Sequence, residues 1–214
     1  MKIKQFIKSL NNTEVGKGGT HECYVLVSKK VPDIENIFDL NNFKPKFYNL
    51  KNGGIINSVH ITKGGEFRIN GLGDFYRNNN VNAGDEILFE RRDTQDSTEF
   101  FIDLNIKTNI ITFQKNSKGF EVLNMDRLTR HLNGKKYELK GFFNDNFQDI
   151  KIEFKESSRK RSDSPEMTDF YNIIVSDKNI LNEFKSNDFL VLEELPNQTT
   201  LKKVVVWQKY EFQL

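Results

Sequence analysis

VNAGDEILFERRD, residues 81 to 93, constrains the fold more tightly than any other stretch of the chain. Ala83-Gly84-Asp85 reads as a tight turn, after which Ile87, Phe89 and Arg91 alternate against Leu88, Glu90 and Arg92. Alternation with a period of two sends neighbouring side chains to opposite faces, which a strand accommodates and a helix does not. The same period recurs in IINSVHI (55–61), GEFRI (65–69), FFIDLNI (100–106), IITFQ (110–114), YELKGFF (137–143), DIKIEFK (149–155), FYNIIVS (170–176) and DFLVLEEL (188–195). CYVLV (23–27) and the closing VVVWQKYEFQL (204–214) also read as strands, and KNGG (51–54) and TKGG (62–65) supply turns between such runs.

Helical signals are few and short. Ile3, Phe6, Ile7 and Leu10 fall on one side of a helix, so the spacing predicts an amphipathic helix over 1–12. VPDIENIF from 31, GLGDFYRNNN (71–80), MDRLTRHLNG (125–134, with Leu128 and Leu132 inward) and DKNILNEF (177–184) are the other candidates. ESSRKRSDSPEM (156–167) is polar, charged and proline-bearing, and is expected to be an exposed loop. The expected class is therefore mostly β with short helices, a small antiparallel barrel or sandwich.

A length of 214 residues allows one large domain or two of about 100 each. The change near KNSKG (115–119) suggests modules over 1–114 and 115–214, the second a β-rich module or extension related to the first. FRI and DFYRNNNVNAGDEILFERRD in the first half are echoed by YNIIVSDKNILNEFKSNDFLVLEELPN in the second. Both run strand, short helix, Asn/Gly-Asp turn, strand. An internal duplication explains the echo, and chance rhyme among β-rich segments is the alternative. The 19 phenylalanines give an adequate core for either arrangement.

The balance of 32 basic and 30 acidic residues neither announces nor excludes a nucleic-acid partner, because binding footprints are local. The single cysteine, Cys23, cannot close an intramolecular disulfide and reads as a small buried hydrophobe. No segment approaches 18 apolar residues and the start lacks a signal-peptide run, so a soluble, cytoplasmic chain without a membrane partner is expected.

The glycine runs do not support nucleotide chemistry. GKGG (16–19) lacks the spacing of a phosphate-binding loop and precedes its strand, and GLG (71–73) lacks the third glycine of a dinucleotide site. His21, His60 and His131 form no metal-ligand spacing. Asp149, Glu153 and Lys155 are the one candidate catalytic set, since carboxylates that hold Mg²⁺ beside a lysine suit phosphodiester cleavage. Solvated strands produce the same pattern, as YELK and NEFK show.

Basic and amide side chains are more suggestive. Lys17, His21, Lys29 and Lys30 surround the opening loop and strand, and Arg68, Arg77, Arg91 and Arg92 flank the glycine turns. Such groups neutralise phosphates, while Asn, Arg and His reach base edges. Asn78, Asn79, Asn80 and Asn82 add paired donors and acceptors, with ordinary turn asparagines as the plain alternative. RKR at 159–161 either touches backbone phosphate or keeps a loop soluble.

LNNTEVGKGGTHECYVLVSKK (10–30) resembles the start of the N-terminal effector DNA-binding domain of EcoRII-type restriction endonucleases. FRINGLGDFYRNNNVNAGDEILFE (67–90) is similar to the same fold, which plant B3 transcription-factor domains share. The resemblance covers roughly residues 9–92 and implies a B3-like pseudobarrel that grips duplex DNA with two arms in the major groove. It implies that Thr13, Lys17, Thr20 and His21 belong to the first arm, and that Arg68, Asn70 and the turn to Asp74 lie on or near the second. Ala83, Gly84 and Asp85 would be structural, the aspartate bonding its own turn. The chain departs from the pattern at Glu22-Cys23-Tyr24, where the strand end after the histidine differs.

The expected function is sequence-specific binding of double-stranded DNA, as the target- or effector-site recognition module of a restriction-modification system. The expected DNA-binding set is Thr13, Lys17, Thr20, His21, Lys29, Arg68, Asn70, Asp74, Arg77, Asn79 and Arg91. Binding needs no cofactor; a separate nuclease subunit or domain, or a second copy of the chain, would be a further partner. Two alternatives stay open: a Mg²⁺-dependent type II restriction endonuclease using Asp149, Glu153 and Lys155, and a protein-interaction module using aromatic faces that include Trp207 and Tyr210.

Overall fold

The structure, a computed structural model, describes residues 1–17, 22–29, 31–34, 37–38, 44–64, 66–159 and 167–214. Strands take 55% of the residues and helix 8%, so the chain is mostly β. It divides into two compact units, one of residues 1–106 with 207–214 and the other of residues 107–206. The first boundary falls before IITFQ and not after it, because that strand pairs only with strands of the second unit. The closing VVVWQKYEFQL is two strands, and its last part returns to the first unit by pairing with the first strand of the chain.

Unit 1 contains β1 (Lys2–Ser9), β2 (Tyr24–Val27), β3 (Phe47–Asn49), β4 (Ile55–Ile56), β5 (His60–Lys63), β6 (Phe67–Asn70), the helix α1 (Gly73–Asn78), β7 (Glu86–Asp93) and β8 (Thr98–Asn105). The predicted helix over 1–12 is strand β1. Its apolar spacing fits a helix, but about a dozen isolated residues make a marginal helix in water. As a strand the segment gains a ladder on each side, with β7 and with the chain's last strand, and buries Phe6. Phe6, Phe38, Phe47, Phe67 and Phe89 form an aromatic cluster, with Phe38 and Phe89 edge to face at 5.4 Å.

Unit 2 contains β9 (Ile110–Lys115), β10 (Phe120–Val122), α2 (Met125–Thr129), β11 (Lys136–Phe143), β12 (Asn146–Arg159), β13 (Met167–Val175), β14 (Lys178–Asn179), a 3-10 turn (Leu181–Glu183), β15 (Phe189–Leu195) and β16 (Gln198–Val204). The last strand of the chain, β17 (Trp207–Gln213), belongs to unit 1. Seven strands of unit 2 close a barrel in the order β10-β9-β15-β16-β11-β12-β13, the seam being the pairing of β10 with β13. Phe113, Phe120, Ile152, Ile173, Leu190 and Leu192 fill it, and Leu128 of α2 and Ile180 pack into the same core. The expected loop over 156–167 is shorter than its composition suggests: Glu156–Arg159 extend β12 and Met167 opens β13.

The two units share one order of pairing. β1 lies antiparallel to β7 as β9 does to β15, β7 to β8 as β15 to β16, and β2 to β6 as β10 to β13. The one parallel pair of each unit also corresponds, β3 with β8 and β11 with β16. β4 and β5, interrupted at Asn57 and Ser58, stand where unit 2 has the single long β12.

Four hydrogen bonds repeat at the turn before β7 and before β15. Asn82 N donates to Asp85 Oδ2 and Lys185 N to Asp188 Oδ2, each at 2.8 Å. The Asp85 and Asp188 amides close back on the carbonyls of Asn82 and Lys185 at 3.1 and 3.0 Å. Leu10 N donates to Asp85 O and Lys115 N to Asp188 O, each at 2.8 Å. In return Gly84 N and Asn187 N donate to Leu10 O and Lys115 O. Gly84 and Asn187 both have positive φ, 94° and 69°, the region that glycine and asparagine tolerate best. The role expected of the Ala83-Gly84-Asp85 turn is thus observed in both units.

Candidate nucleic-acid interface

In unit 1, β2, β6 and β5 form a separate three-stranded sheet. Val25, Val27, Ile61, Phe67 and Ile69 enter the core from one face. The register sets Tyr24 and His60 on either side of Asn70, and Leu26 and Thr62 on either side of Arg68. Cross-strand partners share a face, so Tyr24, Leu26, His60, Thr62, Arg68 and Asn70 lie on one face, polar apart from Leu26 and with Tyr24 buried. Arg68 lies over the Tyr24 ring at 4.7 Å and is ion-paired with Glu66. The hydrogen bonds that Arg68 donates to the Glu66 carboxylate raise its pKa further, so the guanidinium stays charged. Asn70 Nδ2 donates to Thr62 Oγ1 at 3.0 Å, and His60 Nδ1 lies 3.0 Å from Ser58 O.

The position of the sheet depends on Gly71, immediately after β6. Its φ is +79°, and a Cβ there would lie 2.0 Å from the Ser58 carbonyl oxygen. Only glycine allows the strand to turn into α1 at that separation.

The segment that follows β1, which the resemblance assigns to the first arm, is held at its base by a buried ion pair. Glu14, at the start of the arm, accepts the Lys8 ammonium on Oε1, together with the Leu26 amide at 2.8 Å. Its Oε2 accepts the Asn11 amide at 3.2 Å, and Asn11 Oδ1 accepts the Glu14 amide at 3.0 Å. Lys8 also donates to the Leu26 carbonyl, so one carboxylate joins β1, the arm and β2. Unit 2 has a hairpin ladder between β9 and β10 at this place, while unit 1 has the isolated bridge Val15 to Cys23.

The other expected residues distribute as follows. Thr13 and Lys17 lie in the segment after β1, and Lys17 Nζ donates to Asn82 Oδ1 at 3.4 Å, which brings Lys17 beside the asparagine-rich turn. Thr20, His21 and Lys30 lie outside the described residues. Lys29 is exposed in the turn after β2. Asp74 and Arg77 pair with each other on α1, and Asn79 Nδ2 caps that helix by donating to Phe75 O at 2.8 Å. Arg91 is on β7 in the six-stranded sheet, where its Nε contacts both carboxylate oxygens of Asp93 at 2.8 and 3.0 Å. Arg68 and Asn70 therefore share a sheet face, Asp74 and Arg77 share a helix that Asn79 caps, and Arg91 stands on another sheet. Cys23 is only partly buried; burial raises its thiol pKa, opposed by Arg77.

His60 and Thr62 were absent from the expected set. The IINSVHI segment is not one strand: it breaks at Asn57 and Ser58, which returns His60 and Thr62 to pair with β6. Ser58 has a φ of 68°, a turn signal that its side chain does not announce.

The alternative catalytic set lies on unit 2. Asp149 faces Lys140 at 3.5 Å, Glu153 pairs with Lys151 at 2.7 Å, and Lys155 Nζ donates to the Lys118 carbonyl at 2.6 Å. Among the described residues no three His, Cys, Asp or Glu side chains group as metal ligands. Among those residues no helix is long and apolar enough to cross a membrane. Compared with models of known protein families and with curated protein sequences, the chain matches neither.

Proposed function

We propose that the chain binds double-stranded DNA sequence-specifically through a B3-like pseudobarrel in unit 1, as the target- or effector-site recognition module of a restriction-modification system. The observation that carries this reading is the shared face of Tyr24, His60, Thr62, Arg68 and Asn70 on a three-stranded sheet. Arg, Asn and His are side chains that make directional hydrogen bonds to base edges, and strands can present them to a groove. Two further features support it: an arm clamped at its base by Glu14, and lysines on that arm and after β2 that can neutralise phosphate. The restriction-modification context rests on the sequence resemblance of residues 9–92.

The test is selection from a random duplex library without metal at two salt concentrations. An enriched short motif, lost in Arg68→Ala, Asn70→Ala or His21→Ala proteins, is the expected result. Tight but unselective binding would reduce the reading to a charged surface, and absence of binding at low salt would sink it.

One observation favours a second reading, a protein-interaction surface. β17 is an edge strand, and on it Tyr210 and Phe212 are exposed and stacked with ring centroids 6.2 Å apart. Trp207 packs instead against the core of unit 1.

A further inference from the structure

The pairing order that the units share places two segments of unit 2 where unit 1 has its arm and the tip of the β5–β6 hairpin. These are the β9–β10 turn at 116–119 and the far end of the β12–β13 hairpin. They meet through main chain: Lys118 Nζ donates to the Arg159 carbonyl, and Lys155 Nζ to the Lys118 carbonyl at 2.6 Å. A bulge between Phe154 and Glu156 leaves Lys155 without a register partner on β13. Beside it Lys135 lies over the Phe154 ring at 4.1 Å. Among the described residues, Lys118, Lys135, Lys155 and Arg159 have no carboxylate partner; the three lysine ammoniums meet carbonyls or a ring, and Arg159 is exposed.

The acidic groups on β12 and β13 are Asp149, which faces Lys140, and Glu153, Glu156 and Asp169. Glu153 is engaged by Lys151, and Asp169 accepts the Ser157 hydroxyl. Glu156 is exposed beside Lys155. Lys155 and Arg159 of β12, Lys118 of the β9–β10 turn and Lys135 just before β11 therefore carry a local excess of positive charge in a chain of nearly balanced composition.

We propose that this end of unit 2 is a second DNA-contacting surface, directed at backbone phosphate and indifferent to sequence. The inference rests on the duplex-binding reading above and divides the labour: unit 1 reads bases and unit 2 adds phosphate contacts. Lysine is a mobile point charge suited to phosphate, whereas base reading calls for the fixed amide and guanidinium donors found on the β2–β6–β5 face.

The 214-residue chain carrying Lys118→Gln, Lys135→Gln, Lys155→Gln and Arg159→Gln is the test, titrated with the selected duplex and a scrambled one across a salt series. A Lys118→Gln, Lys155→Gln double variant repeats the measurement with less disturbance, and circular dichroism verifies folding. The expected result is weaker binding to both duplexes by the same factor, an unchanged selected motif, and a slope of log K against log salt shallower by roughly 3 to 4 for the quadruple variant. The inference falls if affinity and slope match the parent, or if the motif changes, which would make the cluster part of the reading surface. Absence of parental binding overturns both readings, whereas a parent that binds with an unaltered quadruple variant overturns this one alone.

Discussion

Glu14 and Lys8 carry the largest single-residue liability in unit 1. Both are buried, and the carboxylate satisfies an ammonium and two amides at once. Removing one member of such a pair strands the other charge in a low-dielectric setting, at a cost of about 3–5 kcal/mol. Glu14→Leu should therefore lower stability by about that amount in urea unfolding, and a Lys8→Met, Glu14→Leu double variant should recover much of it. Gly71 is constrained differently, by the close approach of Ser58. In unit 2, Asp188 shows a pH-dependent counterpart. Partial burial opposes its ionisation, but the hydrogen bonds from the Lys203 ammonium and the Lys185 amide win and lower its pKa. A lowered folded-state pKa gives stability above the ordinary carboxylate value that is lost as pH falls through the folded one. Asp188→Asn should destabilise at neutral pH, and the difference from the parent should shrink below about pH 4. Equal destabilisation at all pH values would show that the charge is not what matters there.

At the scale of elements, the instructive pair is the seam of each unit. In unit 2, a four-residue turn, Asn116–Gly119, joins β9 to β10, and β10 pairs on to β13, so the barrel closes. In unit 1, fourteen residues from Leu10 to Cys23 separate β1 from β2, and Glu14 stands in for the missing ladder. The side of β1 left open is taken by β17, which pairs over seven residues. Truncation after Val206 should therefore raise amide exchange in β1 far more than in β9, whose neighbours are both retained. Comparable exposure of both strands would contradict this account. An amphipathic pattern in residues 1–12 predicted a helix because the spacing of Ile3, Phe6, Ile7 and Leu10 carries no information about distant partners. β7 and β17, which make the segment a strand, lie about 80 and 200 residues away.

Across the whole molecule, connectivity sets how each unit can be made. Unit 2 is one continuous segment, residues 107–206, with its own core, whereas unit 1 needs the last eight residues of the chain. Residues 107–206 expressed alone should give a cooperative thermal transition with β-type circular dichroism. Residues 1–106 alone should be less stable than the same segment supplied with β17 through a short linker. Failure of the isolated second segment to fold would show that the division by packing is not a division in folding.

The residues by themselves determined the class, most of the strands, α1, α2 and the Asp-bearing turns, because alternation, Gly and Asp act over a few positions. They also carried the echo between halves at β6–α1–β7 and β13–β15, where local signals are strongest. Tertiary structure decided what depends on long-range pairing: β1 as a strand, the return of β17, the extension of β12 through Arg159, and the closure of one unit by β10 with β13. The candidate site divides in the same way. Arg68 and Asn70 were legible as polar positions on a strand, but His60 and Thr62 join them only through the register of β5 with β6. A cross-strand register is fixed by hydrogen bonds and packing between segments, and no single segment encodes it alone.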